Sequence, residues 1–256
     1  MTRMRIDGKR TLVIGGAGEG IGRGITRAYA SAGASVAVAD IDPERATTAA
    51  KEVRESGGIA HSFSGDVRSA ADIHAMVNGA ADALGGLDVL VTVVGGQVAF
   101  VPAVKLHEMA DDDWDLVYEL NLRYVARAAA AAIRTFLAQG TGGTIISVGS
   151  ITGMMAAPNQ AAYGASKAGV LSLARTVAAE YAADRIRMNV IVGGAISTAV
   201  NAAADSEEVP EIPLGRYGTV DEVAAAAVYL AAPESSYMTG QAIVLDGGVS
   251  ARGPFG

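Results

Sequence analysis

Short apolar runs rich in β-branched residues alternate along this chain with stretches of helical periodicity, a pattern typical of a parallel sheet with helices on both faces. Most runs are apolar at consecutive positions, as expected for strands covered on both sides. The predicted strands are Thr11–Ile14, Ser35–Ala39, Ile59–Ser64, Val89–Val94, Thr144–Val148, Arg187–Val192 and Ala242–Leu245. The predicted helices are Gly20–Ala32, Pro43–Ser56, Ala70–Leu84, Asp111–Leu137, Ala161–Ala183 and Val220–Ala231. We therefore expect an α/β fold with a doubly wound parallel sheet of about seven strands.

The bulk composition narrows the classes of protein that this chain can represent. Its 256 residues are typical of one α/β domain, which we expect to span residues 1–256. The chain contains no cysteine, which excludes disulfides and is compatible with the cytoplasm, where we expect the protein. The longest uncharged stretch, Thr135–Ser166, contains Gly, Pro and polar residues throughout, so we expect no membrane span. The net charge of −7, with 20 dispersed basic residues, argues against a nucleic-acid partner.

The helical and strand periodicity lapses over Ala199–Pro213, which is rich in alanine, acidic, and contains two prolines. Connections of this length are uncommon in compact domains unless they bind something. We expect a mobile substrate loop at residues 199–213. The three histidines, His61, His74 and His107, share no metal-ligand spacing, so we expect no metal site.

The first predicted strand ends in a glycine-rich turn that leads directly into a helix. Glycines in such a turn let the backbone approach a pyrophosphate, whose negative charge the helix N-terminus stabilises. Two registers fit the pattern, Gly16/Gly20/Gly22 and Gly18/Gly22/Gly24, and a tight turn without any ligand is the alternative interpretation. The turn residues that we expect to bind the cofactor are Gly16, Gly18, Gly20, Ile21 and Gly22.

Asp40 ends the second predicted strand, at the place where an acid accepts hydrogen bonds from the adenosine ribose hydroxyls. A carboxylate there also repels a 2′-phosphate, and Glu19 in the glycine turn adds to the repulsion. No basic residue within Asp40–Pro43 offsets it. The alternative is a solvated loop acid, but the pattern predicts NAD rather than NADP as the cofactor.

Tyr163 and Lys167 are four residues apart in a predicted helix, which places both side chains on one face. A tyrosine that acts as a base near neutrality needs its pKa lowered by about three units, or about 4 kcal/mol. A cation at ~4 Å supplies about that much at an effective dielectric constant of ~20, so Lys167 can lower the Tyr163 pKa. Ser150 follows a predicted strand, at the sheet edge where ligands bind, and can donate to a substrate oxygen. The alternatives are a surface Tyr and Lys on an amphipathic helix and an ordinary loop serine.

With these residues in place, the chain resembles the short-chain dehydrogenase/reductase family over about Gly8 to Gly248. The resemblance rests on the Gly16/Gly20/Gly22 register, the Tyr163/Lys167 pair and Ser150 thirteen residues before that tyrosine. Further matches are Asn121, Asp66-Val67, Asn189-Val190-Ile191, Gly194, Thr198 and Asp246-Gly247-Gly248.

The resemblance implies a Rossmann-like sheet and specific residue roles. Tyr163 is implied as the acid/base, and Lys167 as the group that lowers its pKa and holds the nicotinamide ribose. Ser150 is implied to orient the substrate oxygen, and Asn121 to hold a water between Lys167 and solvent. Relatives typically form homotetramers, so we expect a homo-oligomer. The further residues implied to bind the cofactor are Ile41, Asp66, Val67, Val93, Gly95, Tyr163, Lys167, Ile196 and Thr198.

The chain also departs from the family pattern at several positions. The usual Thr-Gly of the turn is Gly15-Gly16, and the usual Asn-Asn-Ala-Gly after the fourth strand is Thr92-Val93-Val94-Gly95. The second change removes amides that tie the strand to its neighbours, so cofactor affinity and local rigidity depend on other contacts. The usual Ser-Ser is Gly149-Ser150, and the usual Pro-Gly is Gly193-Gly194.

The sequence favours an NAD-dependent oxidoreductase that interconverts a secondary alcohol and a ketone, with Tyr163 as general acid/base. The apolar neighbours of the site, Met154 and Met155 among them, favour a hydrophobic or cyclic substrate, although the methionines can equally fill core. The alternatives are a 3-oxoacyl-thioester reductase, a dinucleotide-binding protein without turnover, and a dehydratase or epimerase relative. The three-residue gap between Gly16 and Gly20 disfavours the last of these.

Overall fold

A computed structural model describes residues 4–198 and 211–252. The strands are β1 Arg10–Ile14, β2 Ser35–Asp40, β3 Ala60–Ser64, β4 Val89–Thr92, β5 Gly143–Ser150, β6 Ile186–Gly193 and β7 Ala242–Leu245. The helices are α1 Ile21–Ser31, α2 Pro43–Glu55, α3 Ala70–Leu84, α4 Asp111–Tyr118, α5 Tyr124–Gln139, α6 Ala161–Tyr181 and α7 Val220–Ala231. The predicted substrate loop at 199–213 lies, up to residue 210, outside the described residues.

All seven strands of the described residues form one parallel sheet in the order β3-β2-β1-β4-β5-β6-β7. Strands β1 to β3 are added towards one edge of the sheet and β4 to β7 towards the other. The strand order therefore reverses at β1, which pairs with β2 on one side and β4 on the other. In open α/β sheets this switch point opens a crevice at the carboxyl ends of the strands. The predicted doubly wound, Rossmann-like α/β fold is confirmed.

Consecutive residues of one strand point to opposite faces of the sheet, and here both faces are buried. Leu12 packs into a core formed with α3, α5 and α6, whereas Val13 packs into a core formed with α1 and α7. Both side chains are fully buried. Their burial on opposite sides explains why the strands are apolar at consecutive positions.

The predicted helix Asp111–Leu137 is interrupted by a five-residue π-helical turn, Glu119–Arg123, between α4 and α5. Asn121 lies in this turn, and its Nδ2 donates to the Val117 carbonyl at 2.8 Å. In a regular α-helix that carbonyl accepts the backbone N–H of Asn121. Such single π-turns often occur at functional sites.

Strand β4 ends at Thr92, two residues earlier than predicted. Two residues after the strand ends, the Val94 carbonyl accepts a hydrogen bond from the Tyr124 hydroxyl rather than from the backbone of a neighbouring strand. The chain therefore leaves the sheet just before Gly95. Among the described residues, none of the helices is both long enough and apolar enough to cross a bilayer.

Candidate active site

The glycine turn between β1 and α1 is tightly packed on its inner side and open on its outer side. A Cβ on Gly22 would overlap the Gly15 carbonyl, and one on Gly16 would lie 2.9 Å from Thr26 Oγ1. A Cβ on Gly18 meets no atom within 4 Å among the described residues. Gly16 and Gly22 are therefore required for the turn itself, and the space above Gly18 is free for a ligand.

Helix α1 begins at Ile21, its N-cap Gly20 has no side chain to cap the first backbone N–H groups, and its first turn carries no acidic residue. An uncapped helix N-terminus at the switch point fits the pyrophosphate of a dinucleotide. Gly24 has a different role, because a Cβ there would overlap the Val220 side chain of α7. This packing favours the Gly16/Gly20/Gly22 register over the second one.

Asp40 ends β2 and is only 8% exposed. Its Oδ1 accepts the backbone N–H of Asp42 at 3.2 Å and pairs with the Arg45 guanidinium at 3.3 Å. The expectation that no basic residue offsets this carboxylate is therefore incomplete, because it considered only residues 40–43. Arg45 lies in the first turn of α2 and reaches back to the strand end. The sequence signal for this contact was the pair of aspartates, Asp40 and Asp42, just before an arginine that pairs with both of them.

The residues after β3 lie at the same edge of the sheet as Asp40. Val67 is buried, and Ile41 is exposed. Arg68 pairs with the Asp66 carboxylate at 2.6 Å and holds the pKa of that carboxyl below its usual range. The Asp66 backbone N–H donates to Asp72. The residues predicted to contact adenine thus comprise a buried apolar side chain beside a fixed, charged carboxylate.

The structure brings the four predicted catalytic side chains together at the carboxyl end of β5. Ser150 is the last residue of β5, and Tyr163 lies in the first turn of α6. Lys167 Nζ lies 5.5 Å from the centroid of the Tyr163 ring and donates to the Val148 carbonyl at 3.0 Å. Asn121, from the π-turn, is fully buried beside them.

Gly95 is the point at which Asn121 and Lys167 meet. A Cβ on Gly95 would lie 2.6 Å from Asn121 Oδ1 and 3.0 Å from Lys167 Nζ, and its φ is +158°. Only glycine fits this backbone and this space without strain. The next residue, Gly96, exchanges two hydrogen bonds with the Asn121 amide, at 2.9 and 2.8 Å.

Burial dominates the electrostatics of the Tyr163/Lys167 pair. Burial lowers the pKa of Lys167 from 10.5 to about 8. Burial also raises the pKa of Tyr163, and the Ser150 hydroxyl offsets only part of that rise. The expected lowering of the Tyr163 pKa by Lys167 is therefore not seen in the chain alone, where the ammonium lies over the ring and donates to Val148.

The predicted nicotinamide contacts follow β6 and border the glycine turn. Ile196 is buried and forms a β-bridge with Gly218. The Thr198 side chain is the nearest neighbour of a Cβ built on Gly20, at 3.6 Å. Val93, on the other side of the turn, packs against the core formed with α1 and α7. Thr198 and Ile196 thus lie beside the glycine turn, as the resemblance implies.

Hydroxyl groups replace the amide contacts that the departure at Thr92-Val93-Val94-Gly95 removes. Thr92 donates to Ser147 on β5 at 2.8 Å. Tyr124 of α5 donates to the Val94 carbonyl at 2.7 Å. Sequence reasoning missed Tyr124, because a tyrosine in an amphipathic helix has no feature that separates it from an ordinary core residue.

The rim of the site carries exposed apolar side chains. Four of them lie on the two segments that follow β4 and β5, namely Val98, Phe100, Met154 and Met155. Gln97 is only 2% exposed, and its Nε2 donates to the Asn159 carbonyl at 3.1 Å, which joins the two segments. The rim is therefore an apolar surface held in place by a buried amide.

A family model described as enoyl-(acyl carrier protein) reductase matches residues 16–250 of the chain. The 3-oxoacyl-[acyl-carrier-protein] reductase FabG of Thermotoga maritima is 35% identical over 255 residues, covering 96% of this chain and 99% of that relative. The 3beta-hydroxysteroid dehydrogenase 1 of Eggerthella lenta is 35% identical over 249 residues, covering 94% of each chain.

Solved structures of dehydrogenases are also similar to this chain along almost its whole length. A short-chain type dehydrogenase/reductase from Mycobacterium marinum is similar with a TM-score of 0.88 at 35% identity, over 97% of this chain and 98% of that one. A gluconate 5-dehydrogenase from Burkholderia cenocepacia, in complex with NADP and tartrate, has a TM-score of 0.89 at 32% identity over 98% of each chain. The fold and these matches define an oxidoreductase whose class binds a nicotinamide dinucleotide and acts on small molecules. The chain belongs to the short-chain dehydrogenase/reductase family.

Proposed function

We propose that the protein is an NAD-dependent oxidoreductase that interconverts a secondary alcohol and a ketone, with Tyr163 as general acid/base. The observation that carries the proposal is the convergence of Asn121, Ser150, Tyr163 and Lys167 beside an open glycine turn at the switch point. When bound, the nicotinamide ring accepts or supplies the hydride at the reacting carbon. The protein supplies position, proton transfer and electrostatics.

In the oxidation direction, Tyr163 Oη takes the proton of the substrate hydroxyl; in reduction, it gives that proton to the ketone oxygen. The Ser150 hydroxyl donates to the same oxygen, where negative charge develops. Because burial raises the Tyr163 pKa, the phenolate that accepts this proton forms only beside a positive charge. Lys167 is charged below about pH 8 and is held within one helical turn of Tyr163. It does not lower the Tyr163 pKa in the chain alone, so the charge of a bound oxidised nicotinamide would have to add to it.

We propose NAD as the preferred cofactor because Asp40 is held at the end of β2, with Glu19 in the neighbouring turn. Arg45 favours the alternative, since its guanidinium reaches the same place and can pair with a 2′-phosphate. The related gluconate 5-dehydrogenase was solved with NADP. The ratio of kcat/KM for the two dinucleotides decides between them, and a ratio favouring NADP would overturn the NAD proposal.

We propose a hydrophobic or cyclic substrate, because Val98, Phe100, Met154 and Met155 give the site an apolar rim. The similarity to a 3beta-hydroxysteroid dehydrogenase supports this class. A 3-oxoacyl thioester is the second candidate, supported by the similarity to FabG and by the description of the family model. Turnover of cyclic alcohols, steroids and 3-oxoacyl thioesters, monitored by NADH absorbance, distinguishes the two candidate substrate classes.

The mechanism is tested by Tyr163→Phe, with Tyr181→Phe at the other end of α6 as the control. We expect the first variant to lower kcat by at least about 10², the lower range for general acid–base catalysis, and still to bind dinucleotide, with a Kd that rises by no more than about fivefold for the loss of one hydroxyl contact. The control should keep full activity. Near-normal turnover by Tyr163→Phe would refute the mechanism, and dinucleotide binding without turnover by the wild type would favour the non-catalytic alternative.

We also propose that the protein is a homotetramer, as the family resemblance implies. Its mass in solution, measured by light scattering, tests this. A monomeric mass would contradict it.

A further inference from the structure

Tyr124 is a buried tyrosine that the proposed mechanism does not use. It is the first residue of α5, directly after the π-turn that holds Asn121, and its side chain is 1% exposed. Its hydroxyl donates to the Val94 carbonyl at 2.7 Å. Burial raises the pKa of this phenol, so it remains a neutral hydrogen-bond donor.

The hydroxyl of Tyr124 belongs to a small polar cluster within an otherwise apolar core. Thr92 and Ser147 are both fully buried and hydrogen-bonded to each other at 2.8 Å. The Thr92 hydroxyl lies close enough to Tyr124 to lower the pKa of that phenol, which partly opposes the effect of burial. Three hydroxyls thus tie the end of β4 to β5 on one side and to α5 on the other.

The segment that these contacts hold has little rigidity of its own. Val94 is followed by Gly95 and Gly96, with φ of +158° and +137°. Glycine is the residue that loses most conformational freedom on folding, so its neighbours must impose the conformation. Asn121 holds Gly96 from one side, and Tyr124 holds the carbonyl that precedes Gly95.

The position of Gly95 matters because it faces both Asn121 and Lys167 so closely that a Cβ would lie 2.6 Å from Asn121 Oδ1 and 3.0 Å from Lys167 Nζ. A shift of its backbone by a few tenths of an ångström changes the space beside the lysine ammonium. Lys167 is the group to which the family resemblance assigns the nicotinamide ribose. The Tyr124 hydroxyl therefore holds the residue that directly precedes Gly95, and Gly95 lies beside the predicted cofactor-binding lysine.

We propose that Tyr124 is a positioning residue for the dinucleotide: its hydroxyl fixes the Val94 carbonyl and thereby sets Gly95 against Lys167 and Asn121. This inference rests on the proposed dinucleotide-dependent function. It predicts a defect chiefly in cofactor affinity, because the Tyr124 hydroxyl donates to the Val94 carbonyl and not to Tyr163, although the two phenols lie close enough to interact electrostatically.

The test is Tyr124→Phe, which keeps the ring and deletes the hydroxyl. Loss of one buried hydrogen bond that is expressed in binding corresponds to about a fivefold change in an equilibrium constant. We expect the Kd for NADH, measured by fluorescence titration, to rise by about fivefold, with a matching rise in the KM for NAD. The kcat at saturating NAD should change less than about twofold.

Tyr29→Phe is the matched control. Tyr29 is equally buried and also donates its hydroxyl to a backbone carbonyl, that of Ala227 at 3.0 Å, which joins α1 to α7. Both variants lose one buried hydrogen bond, so both should lower Tm by a similar amount. Only Tyr124→Phe should weaken dinucleotide binding, because the Ala227 carbonyl has no contact with the glycine pair after β4.

Normal NADH affinity in Tyr124→Phe would overturn the inference, and so would an equal loss of affinity in both variants, which would indicate general loosening. If Tyr124→Phe does not fold, Gly95→Ala replaces it, because its Cβ would lie 3.0 Å from Lys167 Nζ and would therefore displace the segment that Tyr124 is proposed to set against the lysine. An unchanged Kd in that variant likewise overturns the inference. If the wild type binds neither NADH nor NADPH, the proposed function fails first, and the inference fails with it.

Discussion

Replacing Lys167 with methionine should stabilise the ligand-free protein while it abolishes activity. Lys167 is 3% exposed, and burial lowers its pKa from 10.5 to about 8, a change that corresponds to about 3 kcal/mol of unfavourable free energy while the side chain is charged. Methionine fills a similar volume without a charge. It loses the hydrogen bond to Val148, about 1 kcal/mol, and the contact with the Tyr163 ring, about 0.5–1 kcal/mol. The expected net gain is about 1.5 kcal/mol.

The pH dependence of this gain identifies its cause. Above the pKa of the unfolded lysine, 10.5, both states are neutral and the wild type carries no penalty. As the pH falls towards about 8, the unfolded chain binds a proton that the folded chain does not, and the wild type loses stability. The variant's advantage is therefore complete below about pH 8 and disappears between about pH 8 and 10.5.

Urea unfolding of both proteins at pH 7 and pH 10, without dinucleotide, measures the effect. At pH 7 the gain corresponds to a Tm increase of roughly 3–6 °C for a chain of this size. Lys51→Met is the control, because Lys51 is exposed and forms only an i,i+4 pair with Glu55, so its removal should change stability by less than about 0.5 kcal/mol. A Lys167→Met protein that is less stable at pH 7, or whose advantage does not depend on pH, would refute the reasoning.

The remaining predictions concern the cofactor site. Asp40→Ala should shift the kcat/KM ratio towards NADP by about tenfold, because one like-charge repulsion is lost, whereas Arg45→Ala should shift it towards NAD; steady-state kinetics with both dinucleotides checks the two opposite signs. Gly18→Ala should keep the wild-type Tm but weaken NADH binding, since its Cβ meets no described atom within 4 Å. Gly22→Ala should lower Tm even without ligand, because its Cβ overlaps the Gly15 carbonyl; equal losses of stability in the two alanine variants would contradict this division.

The strand and helix pattern was sufficient to predict the sheet because its physical basis is local. Leu12 and Val13 are both apolar, and this alone requires that both faces of β1 are covered. The four-residue spacing of Tyr163 and Lys167 likewise required only a helix to place them together. Predictions of this kind succeed because side-chain direction follows from the periodicity of one element.

The features that sequence reasoning missed depend on contacts between elements. Arg45 reaches Asp40 only because α2 packs back against β2, and Tyr124 meets Val94 only because the π-turn ends where it does. The pKa of Tyr163 was also expected to be low, since a nearby cation was counted and the depth of burial was not. Burial depends on the whole fold, so neither spacing nor composition predicts it.

The two opposite pKa shifts of the catalytic pair have one physical cause, and together they suggest which reaction direction the bare site favours. Burial disfavours charge, so it keeps Tyr163 as a neutral phenol and makes Lys167 give up its proton more easily. A neutral phenol is already the acid that a ketone oxygen needs, so reduction requires no prior ionisation. Oxidation requires a proton acceptor, and the chain alone does not provide the phenolate. The positive charge of an oxidised nicotinamide beside Tyr163 would favour ionisation of the phenol. The same buried geometry therefore serves both directions only if the cofactor's charge sets the proton affinity of Tyr163.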